Sequence, residues 1–110
     1  MIDKLNSIES RYEELLARIA DPAVQNDPAE YRTHAKALAE IEPLVERFRE
    51  FKSVLTQIAQ ARELASDPDM RELAQEELQS LEARREALEQ EIKVLLLPRD
   101  PNDEKNVVLE

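Results

Sequence analysis

No glycine occurs anywhere in the 110 residues, and that absence narrows the folds open to the chain more than any motif in it. Glycine enters positive φ at no steric cost, so tight hairpin turns, left-handed helix caps and phosphate-cradling loops are hard to build without it. Average usage would supply roughly 7% of residues. What remains is a set of helices joined by turns that stay at negative φ. Charged residues at 36% and aromatics at 4% fit that picture, because they suit long solvated helices with a narrow apolar stripe and a thin core. The length fits a single domain.

With glycine missing, Asp-Pro takes over the punctuation. It occurs at Asp21-Pro22, Asp27-Pro28, Asp67-Pro68 and Asp100-Pro101, and each pair reads as a helix start. The aspartate accepts from a free amide, and proline fits the first helical position, where its missing N–H would have had no partner. Glu30 and Asp103, three residues after their aspartates, approach the capping-box pattern. Ahead of the first pair, Ile2, Leu5, Ile8, Tyr12, Leu15, Leu16 and Ile19 recur every three or four residues, which predicts a helix over about 2–20. Residues 21–27 then form a helical turn or loop that reverses the chain.

From Pro28 to about Ala65 the only strong breaker is Pro43, which costs about 3 kcal/mol in a helix interior. Ile41, Leu44, Phe48, Phe51, Leu55 and Ile58 alternate steps of three and four straight across it. A break would usually reset that phase, so the pattern predicts one helix over about 28–65, kinked near Glu42 and about 55 Å long. After Asp67, the series Ala74, Leu78, Leu81, Arg85, Leu88, Ile92 and Leu95 repeats the alternation up to Pro98, predicting a third helix over about 68–97. Two long helices with matching seams and a short connector fold back on each other. The expected architecture is all-α, an antiparallel bundle of three helices dominated by a long coiled-coil-like hairpin, with the first helix on its open side. The competing arrangement, a parallel coiled coil between chains, is disfavoured by the central connector and the short first helix. Helical residues 1–105 form the domain, and the β-branched stretch at 106–110 reads as the start of a strand leading into a missing second domain.

Chemistry is harder to find. Twenty-five acids against fifteen bases give a net charge of −10, which repels a polyphosphate backbone and leaves little direct nucleic-acid binding to expect. Cysteine is absent and His34 is the only histidine, so thiolate chemistry and paired-imidazole metal sites have no ligands. No cofactor is expected. The carboxylates at Glu13-Glu14, Glu76-Glu77 and Glu89–Glu91 lack a substrate cleft, and Glu14 with Arg18 and Glu89 with Lys93 have the i,i+4 spacing of a solvated face. Arg84-Arg85 reads as packing, Arg85 lying on the seam with its stem inward. Phe48, Phe51, Tyr12 and Tyr31 could serve as base-stacking platforms, yet three of them lie on apolar faces, and core residues are the better reading. No catalytic, cofactor-binding or metal-binding residue is therefore assigned, and no partner-binding residue either. No apolar run approaches the ~20 residues of a membrane span, and the N-terminus lacks a signal-peptide core, so a cytoplasmic location is expected. A thin bundle leaves seam residues open to self-association.

Three blocks of text are distinctive: IDKLNSIESRYEELLARIADP at the start, SDPDMRELAQEE from Ser66 to Glu77, and VLLLPRDPNDEKN from Val94 to Asn106. Together they resemble the N-terminal domain of the bacterial peptide chain release factors that read UAA and UAG, over essentially the whole chain. The resemblance implies a helical domain of a cytoplasmic translation-termination factor that approaches the stalk base of the large ribosomal subunit. In that family the codon-reading tripeptide and the Gly-Gly-Gln motif lie in later domains, so no functional residue transfers to this sequence. A free-standing helical adaptor or chaperone hairpin is the alternative, as is the first domain of a UGA-reading factor. The Asp67 block and the segment from Leu95 to Pro101 favour the UAA/UAG type.

Overall fold

The computed structural model describes residues 2–97. They form four helices: α1 (Ile2–Ala20), α2 (Pro22–Gln25), α3 (Pro28–Leu64) and α4 (Arg71–Leu96). The fold is all-α, and it has one helix more than the periodicity predicts, because the reversing segment coils into the single turn α2. Asp21 caps that turn by accepting from the Ala23 amide at 2.9 Å, and Gln25 Nε2 donates back to the last-turn carbonyl of Ile19 at 3.1 Å. Asp27 caps α3 by accepting from the Glu30 amide at 3.2 Å. Among the described residues none has positive φ, in keeping with turns built without glycine.

Asp67 behaves differently from the expected cap. Its side chain accepts from the Asp69 amide, and its carbonyl accepts from the Met70 amide, both at 3.0 Å. This closes a turn before helical bonding begins, with Ala74 donating to Met70. An aspartate bonding two residues ahead competes with the helix it might have started. The final helix accordingly starts at Arg71 with Met70 as its N-cap. Asp100, Asp103 and the strand expected at 106–110 lie outside the described residues.

The long helix runs unbroken through Pro43. Proline removes the bond to the carbonyl four residues earlier, that of Ala39. Ala39, Glu42 and Pro43 are all exposed, so the freed carbonyl faces solvent.

α3 is the central element. Cross-helix pairs Arg47–Glu91, Glu50–Arg84 and Arg62–Glu82 run in opposite numerical directions, so α4 is antiparallel to α3. Arg49 and Lys52 on α3 meet Glu9 and Glu13 on α1, which makes α1 antiparallel to α3 as well. Both flanking helices pack chiefly on α3. The core is one cluster of buried side chains, Leu5 of α1, Leu44, Phe48, Phe51, Val54 and Ile58 of α3, and Leu88 and Ile92 of α4. Each such fully buried side chain contributes roughly 1.5–3 kcal/mol. The smallest dimension of the molecule is 19 Å, about two helix diameters.

The α4 seam follows its predicted register from Ala74 to Leu95, every position buried or half-buried. On α3 the register shifts at one place: Val54 is buried and Leu55 is 41% exposed. Leu55 follows Lys52, the partner of Glu9 on α1, by one helical turn, so in the antiparallel pair it falls level with the start of α1. Past Lys52 the cross-helix ion pair of α3 is with α4, Arg62–Glu82, and the buried stripe continues through Val54, Ile58 and Ala61.

Candidate interaction surfaces

The chemistry-bearing side chains distribute over surfaces and do not converge. Glu14 pairs with Arg18 and Glu89 with Lys93, at 3.4 and 3.5 Å, as helix-face spacing requires. Glu76 and Glu77 are exposed. His34, half-buried, stands 3.5 Å from Glu30 one turn before it. Arg85 lies on the seam with its guanidinium between Glu82 and Glu89 at 3.1–3.3 Å, whereas its neighbour Arg84 crosses to Glu50 on α3. Phe48 and Phe51 are core residues at 1% and 6% exposure, and Tyr31 is exposed. Among the described residues there is no cluster of three potential metal ligands and no helix long and apolar enough to cross a membrane.

One charged constellation escaped the sequence reading. Glu9 of α1 accepts from Lys52 Nζ at 2.7 Å and from Arg49 Nε at 2.8 Å, and Arg49 also donates to Glu13. Arg49 lies 5.2 Å from the Tyr12 ring centroid and Lys52 lies 4.5 Å from that of Phe48, within cation–π range. The Tyr12 hydroxyl reaches Glu42 at 3.5 Å. Bonds from Lys52 first, then Arg49, hold the Glu9 carboxyl below its usual range. Bonds to Glu9 and then Glu13 push the Arg49 guanidinium up. The cluster fastens α1 to α3. Its sequence signal was positional, since Arg49 and Lys52 flank seam residues Phe48 and Phe51, and Glu9 and Glu13 flank Ile8 and Tyr12.

Two further surfaces lie at opposite ends of the hairpin. Near Pro43 an open groove of about 400 Å³ is lined by Pro43, Arg47, Gln90, Glu91, Val94 and Leu95. At the other end the α3–α4 turn carries exposed Leu64 and Leu73. The turn is tied internally: Ser66 Oγ donates to the Glu63 carbonyl at 2.6 Å and Arg71 Nε to the Ala65 carbonyl at 3.2 Å.

A helical hairpin fastened to a third helix by the Glu9 cluster makes this chain an all-α domain with an acidic surface. It belongs to the PCRF domain family, whose model matches residues 8–110. It is similar to peptide chain release factor 1 of Geobacter sulfurreducens, with 49% identity across the whole chain and 31% of that protein. The corresponding protein of Carboxydothermus hydrogenoformans is also 49% identical, and that of Geobacillus kaustophilus 47%, each over the whole chain and 32% of the relative. The chain thus spans about a third of the length of the curated relatives it matches.

Proposed function

We propose that this chain is the N-terminal, non-catalytic positioning module of a cytoplasmic translation-termination factor of the release factor 1 type, acting at UAA and UAG codons. The whole-chain similarity to release factor 1 proteins carries the reading. The architecture supports it: a helix of 37 residues in an antiparallel hairpin is a stiff lever, and a net charge of −10 favours encounter with basic protein surface. In this reading the module orients the factor against the base of the large-subunit stalk, and later domains, carrying the Gly-Gly-Gln motif, read the codon and hydrolyse peptidyl-tRNA.

Co-sedimentation of the 110-residue chain with large ribosomal subunits across a salt series tests the proposal. The chain is expected to pellet with the subunits at low salt and to be released as salt rises. Failure to bind at low salt overturns the reading.

A further inference from the structure

Half of the net charge sits at one end of the molecule. Between Glu63 and Glu77 six acids stand against one base, Arg71, a net of −5 of the chain's −10. All six are exposed. Elsewhere about half of the described carboxylates pair with a base, as Glu9, Glu50, Glu82 and Glu91 do with arginines or Lys52, but none of these six forms an ion pair among the described residues. Fixed like charges gathered around a single base cost stability, and of the six only Asp67 serves the fold, by closing the turn.

The same end exposes two leucines, Leu64 at 44% and Leu73 at 58%. Their relation follows from the register. Arg47 and Glu91 each immediately precede a buried seam residue, Phe48 and Ile92, and they meet across one face of the hairpin at 3.7 Å. Leu64 precedes half-buried Ala65 and Leu73 precedes buried Ala74, so in the antiparallel pair they share that face. Ion pairs link the two helices along it at Arg47–Glu91 and Glu50–Arg84, and at the tip the corresponding positions are two leucines. The turn beneath them is held by its own hydrogen bonds, so little ordering would be needed on binding.

We infer that the hairpin tip is a docking surface in which Leu64 and Leu73 anchor in an apolar recess of a basic protein while the surrounding carboxylates meet its lysines and arginines. The occupant is protein and not RNA, because an unpaired acidic collar repels phosphate. Apolar anchors inside a charged rim are the usual division of labour at an interface, the anchors giving affinity and the rim steering approach. The inference rests on the proposed ribosomal role and names the part of the module that makes contact.

Co-sedimentation with large ribosomal subunits separates the two ideas. The double variant L64S/L73S should lose affinity by about tenfold or more, since an anchor residue is typically worth that factor. L55S/V94S, which alters exposed apolar residues elsewhere, should bind as the parent does. The triple variant E72Q/E76Q/E77Q should bind with a flatter salt dependence. Circular dichroism checks that each variant retains its helices. If the parent binds and L64S/L73S binds equally well, the tip inference falls and the positioning role stands. Equal losses in L64S/L73S and L55S/V94S, or equal binding to protein-free ribosomal RNA, also overturn the tip inference. A parent that does not bind removes the positioning role itself.

Discussion

Replacing Pro43 by alanine should stabilise this protein, and the size of the gain follows from where the proline sits. α3 is helical on both sides of it, so the native state already has the geometry in which alanine is better by about 3 kcal/mol in a helix interior. Two effects reduce that figure. Alanine restores conformational freedom to the unfolded chain, which costs about 0.4–1 kcal/mol. The bond it restores, from residue 43 to the Ala39 carbonyl, replaces one to water, because both positions are exposed. A net gain of about 2 kcal/mol remains, equivalent to a rise in Tm of about 10 °C for a domain of this size. Urea unfolding followed by far-ultraviolet circular dichroism measures it, as a higher midpoint at unchanged slope. A neutral or destabilised P43A would refute the reasoning, because it would mean that residues 28–64 do not behave as one helix in solution.

Other expectations are equally direct. Glu9→Gln should cost about 1 kcal/mol at neutral pH, two partly exposed ion pairs being lost. Because the folded carboxyl titrates below its unfolded value near ~4.3, that stabilisation is complete above the unfolded value and disappears as pH falls through the folded one. Parent and E9Q melting curves should therefore converge in acid, and a constant difference down to the lowest pH would contradict the arrangement. Val54→Ala should cost about 2 kcal/mol and Leu55→Ala under about 0.5 kcal/mol, a contrast that chemical denaturation can rank; the opposite order would restore the strict heptad on α3. Asp27→Ala should lower stability by about 1 kcal/mol through loss of the α3 cap, and an unchanged midpoint would show that the Glu30 amide finds another acceptor.

The helices were legible because a glycine-free chain with a sustained three-and-four repeat has few alternatives, and because Asp21 and Asp27 cap in the ordinary way. Asp67 misled because an Asp-Pro pair suits a turn as well as a helix start, and local bonding to Asp69 and Met70 decided between them. Leu55 misled for a tertiary reason: a single-helix repeat assumes a uniform partner, whereas α3 changes partners where α1 begins. Surfaces were less legible still. The Glu9–Arg49–Lys52 staple joins residues about forty positions apart, and its charges look locally like any solvated face. The tip leucines resemble seam residues until the register places them one step outside it. Its acidic setting was written plainly in the sequence, but the contrast with neutralised carboxylates elsewhere needed the ion pairs in space.

Peptide release from ribosomes halted at a UAA codon tests the central claim most directly. The measurement compares this chain alone with a release factor 1 whose first third has been exchanged for it. The account predicts no release by the chain alone and near-normal release by the exchanged factor. Release by the chain alone, or a folded exchange that binds ribosomes but fails to terminate, would contradict it.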